Sequence, residues 1–208
     1  MDDRRRSMAL LQQGDWGEET WRIEALKDWR HYPVLLEAIQ NLQVGALYSS
    51  TVHGSGHINR VLVLAGLIAS MEQLEEPLLR QYLAAASYHD VGRTFDGLDW
   101  EHGLRSAERL GTLTGYRGEN LREIQGAVAA HSFPDEQMEE RVMSYTPQNK
   151  PRAIRLAELL KDADNLDRVR LGDMNPRFLR NDSAKSLVKF TGRLFQLDQR
   201  MKTMIREA

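Results

Sequence analysis

Several apolar stripes at helical spacing end in an imidazole or a carboxylate, and this pattern most limits what the chain can fold into. His57, Val61, Leu64 and Ile68 share one helical face. Leu79, Leu83 and Ala86 form another that runs into the dipeptide His89-Asp90; Ile124, Val128 and His131 form a third, and Ala153, Ala157, Leu160 and Asp164 a fourth. A stripe of this period is the buried face of an amphipathic helix, so each polar end points inward. Burying unpaired imidazoles and carboxylates costs on the order of several kcal/mol each, and convergence on a cation removes that cost. The ordered set His57, His89-Asp90 and Asp164 therefore reads as a metal shell assembled from separate helices.

No alternation of period two extends over five residues, which predicts an all-α chain. Residues 18–43 read as two bracing helices meeting near Tyr32-Pro33. Further helices are expected over 56–72, with Ser55 as N-cap, over 76–89, its stripe continuing into Asp90 and stopped by Gly92, and over 101–114. The next begins at Glu119 and ends at Phe133-Pro134. A polar loop reaches Pro151, the Asp164 helix follows, and a last helix spans about 183–206. Short helices with irregular turns predict an orthogonal bundle. The division expected is 1–48 as an N-terminal segment with bracing helices and 49–208 as the core with its C-terminal helix, in one compact domain.

With 28 Lys+Arg against 30 Asp+Glu, the chain offers no basic field for nucleic acid or an anionic membrane. Its Arg4-Arg5-Arg6 run reads as a solvated terminal segment. No apolar run is long enough for a signal segment or a membrane span, so a cytoplasmic protein is expected. The absence of cysteine removes thiolate metal sites and leaves His, Asp and Glu as ligands.

Three blocks, in order, resemble the HD superfamily of metal-dependent phosphohydrolases. They are His57-Ile58-Asn59-Arg60-Val61, Tyr88-His89-Asp90-Val91-Gly92 and Lys161-Asp162-Ala163-Asp164-Asn165-Leu166-Asp167, and the resemblance runs from about Ser50 to Leu171. It favours Asp164 over Asp162 as the closing ligand. Helical spacing agrees, since Asp162 lies roughly 160° around the helix from the stripe. His102 and His131 look like the additional ligands of dinuclear members. The resemblance then implies a set of His57, His89, Asp90, His102, His131 and Asp164, with Asp90 bridging two ions; the alternative is a mononuclear site in which His102 and His131 bind substrate. Imidazoles with carboxylates suit one or two divalent Fe, Mn, Co, Ni or Zn ions.

The activity implied is hydrolysis of a phosphomonoester or phosphodiester of a small molecule, a nucleotide being the expected class, with Asp90 and His89 at the catalytic centre. Arg93 and Arg168, with Lys161 and Arg105 as weaker candidates, are phosphate-facing cations or ordinary surface charges. Asp96 and Asp99 either contact substrate or orient His102, or are turn residues. His53 reads as structural or supporting because Gly54 and Gly56 interrupt any helical chelate with His57, and His31 reads as surface or packing. Trp100 is placed to wall the pocket. The same ligand order also serves di-iron oxygenases of the superfamily, and a non-catalytic nucleotide-binding module is the third alternative. The stripe Leu187, Phe190, Leu194, Leu197, Met201 and Met204 packs on its own domain or forms a homodimer contact.

Overall fold

A computed structural model describes residues 3–207, with side chains over 6–12 and 14–203. Among the described residues there are α-helices and short 3-10 turns and no strand, in agreement with the missing period-two pattern. The helices are α1 (Asp3–Gln13), α2 (Thr20–Asp28), α3 (Tyr32–Gln40), α4 (Ser55–Met71), α5 (Glu76–Tyr88), α6 (His102–Thr114), α7 (Gly118–His131), α8 (Asp135–Met143), α9 (Lys150–Asp167), α10 (Asp182–Ser186) and α11 (Val188–Glu207).

Helix α4 is buried on every face from His57 to Ser70, which only a central helix tolerates. It packs against α1, α2, α3, α5, α9 and α11. Proline occupies the first turn of α3, α5 and α9, where its missing N–H costs nothing. Asn149 caps α9 by accepting from the Arg152 amide at 3.2 Å. Helix α6 ends on Gly115, whose φ of +73° suits glycine.

Several expectations are corrected. Gly54, not Ser55, precedes α4: its backbone is extended, and a Cβ there would lie 2.2 Å from the Ser50 carbonyl. Helix α5 stops at Tyr88, four residues before Gly92. Gly92 instead lets the chain touch α6, since its Cβ would fall 2.4 Å from the Ser106 amide. The expected loop between Pro134 and Pro151 contains α8, whose single buried residue, Val142, is too little apolar signal to show a period. The C-terminal helix is two, α10 and α11, with Leu187 between them.

Leu187, Phe190, Leu194 and Leu197 are buried within the chain, and Phe190 stacks on Trp16 at 5.0 Å. That stripe packs on its own chain; Met204's side chain lies outside the described residues. The N-terminal segment is helix α1, with Leu10 and Leu11 in the core. Arg6 is buried and ion-paired with Asp198 at 2.8 Å, so it is not solvated, while the Arg4 and Arg5 side chains lie outside the described residues.

Helices α6 and α7 meet at Gly103. A Cβ there would stand 2.6 Å from Ser132 Oγ and 2.7 and 2.9 Å from the Val128 and Ala129 carbonyl oxygens. Gly103→Ala is therefore expected to push α6 off α7 and destabilise by about 1–3 kcal/mol. Urea unfolding should show a lower midpoint with an unchanged m-value.

Candidate metal centre

Helices α4, α7 and α9, the first residue of α6 and the turn after α5 each bring an ionisable group to one point. His57 stands in the first turn of α4, His89 and Asp90 just past the end of α5, His102 at the start of α6, His131 at the end of α7, and Asp164 in the last turn of α9. His57, His89, Asp90, His102 and His131 are buried, and Asp164 is partly exposed to a cleft.

The four imidazoles face one another through Nε2. His57 Nε2 lies 3.1 Å from His89 Nε2, and His102 Nε2 lies 2.9 Å from His131 Nε2. The Nδ1 atoms of His89, His102 and His131 meet the carbonyl oxygens of Ala86, Asp99 and Val128 at 3.0, 2.5 and 2.6 Å. His57 Nδ1 meets Asp167 Oδ2 at 2.7 Å. Carbonyls and carboxylates only accept, so Nδ1 carries the proton and the Nε2 lone pairs confront each other. An electron-poor centre between them relieves the repulsion.

The carboxylates complete two groupings. Asp90 Oδ1 is 3.0 Å from His102 Nε2 and 3.7 Å from His131 Nε2, whereas Oδ2 is 3.5 Å from His57 Nε2 and 3.9 Å from His89 Nε2. Asp164 Oδ1 stands 3.3 and 3.7 Å from the Nε2 atoms of His57 and His89. Adjacent donors around a transition-metal ion at about 2.0–2.2 Å are separated by about 3.0–3.5 Å, so this nitrogen and oxygen set can hold divalent metal. The ligand atoms of His57, His89 and Asp164 lie within 4.8 Å of one another, as do those of His89, Asp90 and His131.

Electrostatics fit the same conclusion at the carboxylates and His131, while at His89 burial is outweighed by Asp90 and Asp164, which raise its pKa. Burial works to raise the Asp90 carboxyl, but His89, His102, His131 and His53 outweigh it and hold the group well below the usual range. Asp164 is held down likewise by His57 and His89 against its burial. Burial pushes His131 down to about 4, only partly offset by Asp90, leaving a neutral ring suited to ligation.

A cleft of about 690 Å³ opens over this centre. Arg93, Lys161, Arg168, Asp96 and Asp99 line it; Arg105 does not, because its guanidinium is bound to the Gly92 carbonyl at 2.9 Å and to Asp99. Arg93 Nε donates to Asp90 Oδ1 at 2.9 Å. Lys161 is buried and donates to the Phe133 carbonyl at 2.5 Å; burial lowers its pKa, and Arg180 adds to the effect. Arg168 is half-exposed and paired with Asp173. Asp96 accepts from Ser50 Oγ at 2.5 Å, and Asp99 orients His102 through its backbone carbonyl rather than its carboxylate. Apolar side chains stand among the charged ones on the cleft's rim: Leu98, Trp100 and Phe178 are 77%, 45% and 60% exposed, and Trp100 does wall it.

Asp162 turns away into the fold, where it accepts from Arg180 and from the Asn181 amide at 2.8 Å. His31 sits apart, edge-on to Trp29. His53 is closer to the centre than its glycine-flanked position implied: its Nδ1 lies 3.2 Å from Asp90 Oδ2. Apolar periodicity assigns no role to Asp167 or Arg60. The available signal was spacing, since Asp167 lies one turn after Asp164 and Arg60 one turn after His57.

The family model described as HD domain matches residues 54–169, more than half of the chain. No curated protein and no solved structure matches.

The His131 shift has a sign. The unfolded ring titrates near 6.5 and the folded ring near 4, so the unfolded chain binds more protons between those values. Metal-free protein should lose stability as pH falls through that window, with His131 contributing up to about 1.4 kcal/mol per pH unit. His131→Gln should flatten the slope by that amount in denaturant titrations at pH 6.5, 5.5 and 4.5.

Proposed function

The chain belongs to the HD-domain family, and on that premise we propose that it is a metal-dependent phosphohydrolase acting on a small phosphorylated molecule, with a nucleotide as the favoured class. The family's general activity is metal-dependent hydrolysis. The observation that carries the finer reading is the division of Asp90: one oxygen faces the His102 and His131 pair, the other the His57 and His89 pair. In this reading His57, His89, Asp164 and Asp90 would hold one divalent ion, and His102, His131 and the same Asp90 would hold a second. Such ions, when bound, supply an activated water and Lewis acidity toward a phosphoryl oxygen.

The chain's own residues do the rest. The carbonyls of Ala86, Asp99 and Val128 fix which imidazole nitrogen faces the centre. Arg93 holds Asp90 in register by donating to Oδ1, and Arg168, the most solvent-exposed of the cleft's arginines, would bind phosphate. Trp100 and Phe133, 6.5 Å apart, offer aromatic faces to a base. Residues 49–208 carry the centre and 1–48 brace it, within one compact domain.

Protein loaded with manganese, cobalt or nickel should release phosphate from nucleotides or cleave a generic phosphodiester, and His89→Ala or Asp90→Ala should abolish turnover. Full metal occupancy without turnover across a broad phosphate panel would sink the reading. Oxygen uptake by the iron-loaded protein on adding substrate would replace it with oxygenase chemistry. Nucleotide-dependent thermal stabilisation without product would replace it with a binding module.

A further inference from the structure

His57 differs from the other three imidazoles in what holds it. Backbone carbonyls orient His89, His102 and His131, whereas the Asp167 carboxylate orients His57 at 2.7 Å. Asp164 and Asp167, one turn apart at the end of α9, reach opposite nitrogens of this one ring. Asp167 is itself gripped by Arg60, whose Nε donates to Oδ1 at 2.7 Å and Nη2 to Oδ2 at 3.0 Å. Arg170 Nη1 stands 3.3 Å away.

The chain of charges continues outward. Arg60 Nη1 donates to Asp198 Oδ2 at 2.6 Å, and Asp198 Oδ1 meets Arg6 Nε at 2.8 Å. Asp198 lies on α11 and Arg6 on α1, so both lie outside the family-matched residues 54–169. All four side chains are buried. Buried ion pairs are weak contributors to stability compared with apolar packing. A carbonyl, as at the other three rings, suffices to choose the tautomer. A carboxylate adds negative charge behind the ring and makes Nε2 a stronger donor to a metal.

We propose that Asp167 is a positioning residue for His57, and that Asp198 and Arg6 extend its hold, so that the two terminal helices set the affinity of the ion nearer His57. This rests on the reading that His57 is a metal ligand. It assigns the terminal helices a part in the centre that the matched segment alone does not contain.

Cobalt(II) is the probe, titrated into the full-length metal-free protein with heat and the visible d–d absorption both followed. Asp167→Asn should weaken one of two binding events by about 10–100-fold and shift its absorption band, leaving the other event within about twofold. Asp198→Asn should weaken the same event to a smaller degree; because it keeps the Asp167–Arg60 bond, it carries the test if Asp167→Asn does not fold. Unchanged cobalt affinity in a folded variant, or equal weakening of both events, would overturn the positioning role while leaving the proposed function intact. A wild-type protein that binds no cobalt would overturn both.

Discussion

Everything at the centre depends on one buried carboxylate surrounded by imidazoles. Asp90 touches His53, His57, His102 and Arg93 within 3.5 Å, and His89 and His131 a little farther out. Because it follows α5 directly, its placement requires that helix to stop at Tyr88, and the turn behind it requires Gly92 to lie against α6. The fold around it is thus a set of close helix contacts whose spacing is dictated by reach: an imidazole spans only a few ångströms, so the helices carrying the rings must meet near their ends.

This logic explains what was legible in the sequence. His57 and His131 continue apolar faces, so their burial follows from period alone, while Asp164 continues such a face to the edge of the cleft and is separated from Asp162 by its angle around α9. Asp162 has a different task, holding Arg180 and Asn181. Period says nothing about charge partners brought from 100 residues away, which is why Asp167 and Arg60 carried no role. The same limit hid the burial of Arg6, whose partner Asp198 lies near the opposite end of the chain. Helix α8 escaped because its amphipathic signal is one buried valine, and the α10–α11 break because Leu187 continues the apolar face across it.

The cations of the cleft are constrained to different degrees. Lys161 is committed to backbone carbonyls and Asp135, and Arg180 to Asp162 and Asp135, so both hold the walls together as much as they colour the potential. Arg168 is tied to one exposed aspartate, a contact of little energetic weight that a stronger anion displaces readily. Positive charge in the cleft is therefore graded, from fixed at its floor to adaptable at its edge.

The apolar residues on the rim have a calorimetric consequence. Leu98, Trp100, Leu171 and Phe178 stand in water around an opening whose floor is charged. A ligand that covered these residues on entry would take apolar surface out of water and so lower the heat capacity. Under the proposed function, occupation of this ionic site would carry the temperature dependence of hydrophobic association, its enthalpy growing more favourable on warming.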